Sequence, residues 1–360
     1  MICKSIEYFN FRNIESARIE PSPGVNVLFG NNAEGKTNAV EGIYLFSCGR
    51  SFRAHADSEM IRFGEKKCFV KLIYCDSTGE KKLDFSLLAN GKRSCQKNGI
   101  QLSRLSEFVG NFHAVLFCPE HLSLVKEGPS VRRSFLDMAI SQLSPVYLGT
   151  LQRYYSVLRQ RNGLLKQRLF SGKEVDREFR DMIEIWSDQL AKEAEYISKA
   201  RYEYVMKLEE KTKVILSDMT QKKDNIEITY PDPVEKAVFF ERFTSFLERE
   251  LKAGGTLYGI HRDDMTIKVN EKEARSFSSQ GQQRSAALAM KLSEGEIVRD
   301  NIGEYPVFLL DDILSELDDN RKRYILDGLL ERQVIITSCG KDIGGEKRFY
   351  VNAGSYNLTE

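Results

Sequence analysis

Gly30-Asn31-Asn32-Ala33-Glu34-Gly35-Lys36-Thr37 is the stretch on which the reading of this chain turns. It satisfies G-x-x-x-x-G-K-[ST], in which the glycines let the backbone curl until its N–H groups point inward at phosphate oxygens. The apolar run Val25-Asn26-Val27-Leu28-Phe29 before it reads as a buried strand, and a helix is expected from Lys36 to about Phe46. That setting brings the positive end of a helix to the phosphates. Lys36 is expected to reach the β- and γ-phosphates and the Thr37 hydroxyl to ligate Mg²⁺, with Asn31, Asn32, Ala33, Glu34 and Asn38 completing the cradle. The implied cofactors are ATP and Mg²⁺.

Far along the chain, Pro306-Val307-Phe308-Leu309-Leu310-Asp311-Asp312 is an apolar strand ending in two carboxylates. Alone, these could be helix-capping acids. Beside a phosphate loop, Asp311 is expected to hold Mg²⁺ through water and Asp312 to orient or activate the attacking water. Upstream, Ser276-Phe277-Ser278-Ser279-Gln280-Gly281-Gln282-Gln283-Arg284-Ser285 opens a long helix expected from Gln280 to Val298. A hydroxyl and free N–H groups at a helix start suit an anion. A capped helix behind a flexible loop is the blander reading.

This last segment resembles the signature motif of ABC-type ATPases, Ser315 to Asp318 resembles their D-loop, and Thr337 with Ser338 stands where their switch residue lies. The resemblance implies that Ser279, with Gly281 and Gln282, contacts the γ-phosphate held by a second copy, so that ATP joins two heads.

Working outward, the first 120 or so residues read as strand-rich, with expected strands at Ile2–Phe9, Ser16–Glu20, Phe69–Tyr74 and Leu83–Leu88. From about 130 to 250, apolar residues recur at helical spacing, as in Tyr147, Leu151, Tyr154 and Leu158. One more helix is expected from Phe239 to Leu251, and buried strands return at Val307–Leu310 and Val334–Thr337. The fold class is therefore α/β: an ABC-type P-loop ATPase lobe, a mixed sheet with helices, built from residues 1–122 plus 254–360. A mainly helical second lobe, 123–253, interrupts it.

Lys+Arg total 53 against Asp+Glu 52, a net charge of +1, so any nucleic-acid footprint must be a local patch. The seven cysteines form no CxxC pair, which favours reduced thiols over zinc or a disulfide framework. No long apolar run reads as a signal or a membrane span, and a cytoplasmic protein without membrane partners is expected.

Across nearly its whole length the sequence also resembles the RecF family, relatives of the SMC heads. The shared blocks are Phe11-Arg12-Asn13-Ile14, Gly49 to Arg53, Phe117 to Leu122, Gly128-Pro129-Ser130-Val131-Arg132-Arg133-Ser134-Phe135-Leu136-Asp137, Leu158 to Asn162, Gly259 to Asp264 and Ser279 to Gln283. The resemblance implies that Arg12 and Asn13 join the nucleotide site. It further implies binding of double-stranded DNA near single-strand gaps, an ATP-dependent homodimer, and cooperation with RecR and RecO mediators in loading recombinase. Arg53 resembles an SMC-head arginine that couples DNA to ATP, an ordinary ion pair being the alternative. Arg132, Arg133, Arg159 and Arg161, with Lys166 and Arg168, are candidate phosphate contacts or else a solvated face beside acids such as Glu174 and Asp176. Asp312 stands where transporter ATPases carry Glu, so slow hydrolysis is expected, and no glutamine stands near Pro119 and Glu120 where the wider class has a metal-contacting one. Two other readings stay open. One is a nucleotide-gated scaffold with negligible catalysis. The other is a transporter's ATPase subunit, although Lys36 and Ser279 lie farther apart than such cassettes usually allow.

Overall fold

The computed structural model describes residues 1–171, 175–340 and 343–359, so Glu174 lies outside the described residues. The chain opens with the hairpin β1 (Ile2–Phe11) and β2 (Ile14–Ile19), then β3 (Val25–Phe29), the phosphate loop and α1 (Lys36–Cys48). The meander β4 (Lys67–Asp76), β5 (Gly79–Leu88), β6 (Arg93–Lys97) and β7 (Ile100–Gln101) follows, then α2 (Leu105–Phe108) and β8 (Ala114–Phe117). The helical block comprises α3 (Pro129–Leu143), α4 (Pro145–Ser171) and α5 (Arg177–Met219), followed by β9 (Ile226–Thr229), α6 (Lys236–Ser245) and α7 (Leu247–Ala253). The chain then forms β10 (Thr266–Val269), β11 (Lys272–Glu273), α8 (Ala274–Phe277), α9 (Gln280–Ile302), β12 (Val307–Leu310), α10 (Asp319–Gly328), β13 (Val334–Ser338), β14 (Lys347–Asn352) and β15 (Ser355–Thr359).

Two six-stranded sheets enclose α1. One is antiparallel, ordered β2-β1-β4-β5-β6-β7; the other, β15-β14-β3-β13-β12-β8, is parallel except at β15. Because both sheets press on it, α1 buries residues all round, Val40, Ile43, Leu45 and Phe46 among them. Each such side chain contributes about 1.5–3 kcal/mol over leaving it in water. This is the α/β ABC-type ATPase architecture expected from the sequence.

The second core gathers around α5, a helix of 43 residues capped at its start by the Asp176 carboxylate, which accepts from Phe179 N. Phe239 and Phe243 join this core from α6. The helix expected over 239–251 breaks at Phe246, just after Thr244 and Ser245 turn their hydroxyls back onto carbonyls of their own helix. A three-stranded sheet, β11-β10-β9, closes the block. The expected boundary at 253/254 therefore falls between two paired strands, with Ile226 opposite Val269 and Ile228 opposite Ile267. Helix α9 serves both neighbours: Ala286, Ala289, Met290 and Ile297 lie in the second core, while Leu288 and Leu292 pack with β12 and α10.

Candidate nucleotide site

The site sits at the carboxyl ends of parallel strands, where such sheets offer a crevice. Strand β3 delivers the phosphate loop, its neighbour β13 delivers Thr337, and β12 beyond it delivers Asp311. Asp311 Oδ1 accepts from Thr37 Oγ1 at 2.9 Å and from Thr337 Oγ1 at 2.8 Å. Thr337 Oγ1 in turn accepts from Asp312 N at 2.8 Å, which ties the three strand ends together. Burial pushes the Asp311 carboxyl up from the usual aspartate range, against the two threonine hydroxyls that hold it down. A carboxylate in that position favours a cation beside it.

The loop needs its glycines. Gly30 is at φ 156°, and a Cβ there would collide with the Val351 carbonyl. Gly35 is at φ 114°, and its Cβ would lie 2.8 Å from Asn13 Oδ1. Among the described residues, none of the backbone N–H groups of Asn31 to Thr37 donates to a protein acceptor, so the loop offers a run of free donors. Lys36 is buried and folds its ammonium onto the loop's own carbonyls, Gly30 O and Asn31 O, at 2.7 Å each, with Cys339 Sγ at 3.8 Å. This donor set fits a polyphosphate: free N–H groups, one buried ammonium, and a hydroxyl beside a carboxylate. Asn32, Ala33, Gly35, Lys36, Thr37, Asn38, Arg53, Asp312 and Thr337 line a cleft of about 160 Å³ there.

One brace of the loop is absent from the sequence reading. Tyr356 Oη donates to Gly35 O at 2.8 Å, and Gly354 N to Glu34 O at 2.8 Å. The hairpin that carries them turns at Ala353-Gly354, both at positive φ, a pair of residues flanked by alternating Phe349 and Val351. That alternation is the signal that could have revealed it.

Behind the loop lies a second feature, missed because it turns on one acidic residue in an apolar helix. Glu41 has a fully buried carboxylate on α1 that accepts from Arg12 (Nη2 at 2.6 Å), from Arg53 (Nη2 at 2.8 Å) and from Ser51 Oγ. Burial pushes its pKa up, but the hydrogen bonds from Arg12, Ser51 and Arg53 outweigh this and hold it below the usual glutamate range. Arg53 also donates to Asn38 Oδ1 at 2.5 Å, and Asn38 Nδ2 donates to Asn13 Oδ1 at 2.6 Å. Arg12, Asn13, Asn38 and Arg53 thus form one network at the first turn of α1.

Ser279 caps α9: its Oγ accepts from Gln282 N at 3.3 Å, and Gln282 Oε1 accepts from Ser279 N at 3.0 Å. Gln282 also holds Asp224 Oδ1 at 2.8 Å, and Arg321 of α10 donates to Gly281 O at 2.8 Å. Ser279 is exposed, and neither it nor Gln282 lines the phosphate cleft of its own chain. Asp312 is exposed with φ 51°, a left-handed conformation that Asp and Asn tolerate and longer side chains resist.

Two of the arginines offered as DNA contacts are internal. Arg161 is fully buried against Glu250 at 2.7 Å, and it also donates to Ser187, Thr256 and the Phe243 carbonyl. Arg132 is buried in a two-point pair with Asp264, both bonds 2.7 Å. Both are corrected to structural pairs, since Arg161 has no solvent exposure and Arg132 very little, its guanidinium being taken up by Asp264. Arg133 donates to Asp263 O at 2.8 Å, and Arg168 pairs with Asp176 and covers the Phe179 ring. Arg159 is exposed and, with Arg133, borders a cleft of about 790 Å³ between the helical block and the end of α1. His261 lies there too, between Tyr154 Oη at 2.7 Å and Thr256 O at 3.2 Å, and burial pushes its pKa down to about 4.

A family model described as RecF/RecN/SMC N terminal domain matches residues 2–348. A protein named DNA replication and repair protein RecF, from Clostridium novyi (strain NT), is 39% identical over 345 residues, covering 94% of this chain and 93% of that one. Its namesake from Clostridium acetobutylicum is 39% identical over 357 residues, covering 98% and 96%. A solved structure described as the recombination mediator protein RecF-ATPrS in the RecFOR pathway superposes with a TM-score of 0.92 at 38% identity, covering 100% of this chain and 98% of that one. An SMC head from Pyrococcus furiosus shares the fold alone, with a TM-score of 0.57 at 16% identity. Full-length similarity of this kind sets aside the transporter reading, and the chain belongs to the RecF family.

Proposed function

We propose that this protein acts in recombinational DNA repair and replication restart as an ATP-gated dimer on double-stranded DNA next to single-strand gaps. The observation that carries the reading is the pair of threonine hydroxyls meeting on Asp311 beside a loop whose N–H groups are free. Thr37 and Asp311 would hold Mg²⁺, and Gly30 to Asn38 would hold the phosphates. Bound ATP with Mg²⁺ would supply a γ-phosphoryl group, and its transfer to water, with ADP as the leaving group, would depend on positioning and charge neutralisation. Lys36 would exchange its two loop carbonyls for phosphate oxygens. Ser279 would serve a second copy's γ-phosphate, a role supported by its exposure and its distance from the cleft of its own chain. Asp312 is the group nearest the water-activating role, and its short side chain supports slow hydrolysis.

The likeness to proteins named for repair, and to one solved in a RecFOR context, supports RecO- and RecR-type partners for this chain. Arg53 supports a coupling role, because its guanidinium bridges Asn38 and Glu41 at the base of the loop. Arg133 and Arg159 remain the proposed DNA contacts. The two-lobe division is proposed with the β9-β10-β11 sheet kept whole in the inserted lobe.

Molecular mass in solution, with and without ATP, tests this. The Asp312→Asn variant blocks turnover, and ATP should convert it from monomer to dimer. Ser279→Arg should abolish that conversion while ATP still binds. A mass indifferent to ATP, in a protein that binds it, would defeat the dimer.

A further inference from the structure

Leu148, Leu151, Tyr155 and Leu158 recur at helical spacing on α4 and turn one face towards the cleft of about 790 Å³ between the helical block and the end of α1. The three leucines are nearly buried and form its floor, with Leu105 and Met138 beside them. Four arginines line the same space: Arg50, Arg93, Arg133 and Arg159. Arg50 and Arg159 are exposed and mark its rim. Arg93 is paired with Asp57 at 2.5 Å. Arg50 donates to Ser134 Oγ at 3.2 Å and Arg133 to the Asp263 carbonyl, both uncharged acceptors. The one carboxylate among the described lining residues, Asp137, is held by Arg201 at 2.8 Å and by the Tyr147 hydroxyl. The cleft therefore joins an aliphatic floor to a positive rim whose charge the lining does not balance.

A second cleft, of about 640 Å³, shares Arg50, Arg93, Ser134 and Met138 with the first and runs on to Arg53. The two make one continuous groove, a shape that suits an extended chain. The floor argues against nucleic acid as its occupant. Bases stack on flat aromatic faces, and Tyr155 is the one free to offer such a face, since His261 is engaged between Tyr154 and Thr256. Leucine and methionine side chains instead accept other aliphatic groups.

We infer that this groove is a docking site for an acidic, leucine-bearing segment of a partner protein, bound in extended form. Alternate side chains of an extended chain point to opposite sides, so aliphatic residues can enter the floor while carboxylates turn to the rim. There they meet guanidiniums, whose planar fork matches a carboxylate with two parallel hydrogen bonds. Burial of the aliphatic groups supplies affinity and the arginines supply selection for acidic chains. Arg133 and Arg159 are also the proposed DNA contacts, so such a segment and a duplex would compete for them.

Fluorescence anisotropy on the full chain tests the inference, with a labelled peptide of about ten alternating Glu and Leu residues as the probe. A Gln and Leu version, which lacks the charge, and a Glu and Ser version, which lacks the aliphatic groups, should each bind at least about 10-fold more weakly. Gln152→Glu puts a like charge at an exposed position of the lining, and Arg50→Ala removes a rim guanidinium. Each should weaken the Glu and Leu peptide by about 3- to 10-fold, with the urea midpoint and ATP binding unchanged. Equal binding of the Glu and Ser peptide would overturn the inference, because the floor would then be idle. Tighter binding of a labelled thymidine oligonucleotide of the same length, with the same loss in Gln152→Glu, would also overturn it and make the groove a single-strand site. So would an unaltered protein that ignores the Glu and Leu peptide, or binding undiminished in both variants.

Discussion

Arg53 reaches back 2.8 Å to Glu41, a carboxylate with no solvent exposure on the helix that follows the phosphate loop. Arg12 holds the other side of the same group, so Glu41 is the anchor and the two arginines are the arms. Glu41→Ala leaves both guanidiniums facing an empty buried site. It is expected to cost about 3–5 kcal/mol in urea unfolding, as for other broken buried pairs. Arg53→Ala, from a third-exposed position, should cost less than about 1 kcal/mol and show instead as weaker nucleotide binding. Equal losses from the two changes would count against this hierarchy.

Arg161 and Arg159 are two residues apart and should behave oppositely. Arg161→Ala breaks the pair with Glu250 and should destabilise the protein by about 3–5 kcal/mol. Arg159→Ala, on an exposed face, should leave the urea midpoint alone, weaken DNA binding uniformly across sequences, and lower the salt slope by about 1. DNA titrations at several salt concentrations read this directly.

Asp312 at φ 51° ranks its replacements by backbone rather than by charge. Asp312→Asn should change stability by less than about 0.5 kcal/mol, whereas Asp312→Val should cost about 1–2 kcal/mol. Asp312→Glu incurs part of that strain but carries its carboxylate one methylene farther, and its ATP turnover should rise. Turnover unchanged in Asp312→Glu would remove side-chain length as the cause of slow hydrolysis.

Acid should weaken the fold in two stages. Burial lowers the pKa values of His113 and His261 to about 4 and of His121 to about 3. The unfolded chain protonates these rings near pH 6.5 and the folded chain does not. Stability is therefore full above pH 6.5 and falls as the pH drops from there towards 4, by on the order of 1–3 kcal/mol per ring. Glu41 acts below that window: its folded pKa is depressed, so its contribution is full above the ordinary glutamate range and is lost on further acidification. Urea midpoints between pH 7 and 4 should show the first stage, and His261→Gln should make it shallower.

Much of this was legible in the sequence where local chemistry is self-sufficient. Strands Val25–Phe29 and Val307–Leu310 have the expected bounds, and α9 begins at Gln280 as its serine cap implies. Helix α1 was expected too, and its few polar residues follow from having a sheet on each side. What escaped was pairing at long range. The β9 and β10 strands have only four residues each and are separated by two helices, so no window of sequence shows that they meet. Charge was the other blind spot. Arg132 and Arg161 read like Arg159 until Asp264 and Glu250 come up against them from more than 80 residues away.

The sharing of α9 between two cores has a mechanical corollary. The same rod carries Ser279 at its tip, locks to the long helix of the insert through Thr212 and Ser293 at 3.0 Å, and stacks on the strand that ends in Asp311. Residue 254 cannot serve as a hinge, because β9 and β10 are stitched across that point. In the proposed dimer the insert would therefore act on the latch at Ser279 through α9, a single stiff member, and not through a flexible joint.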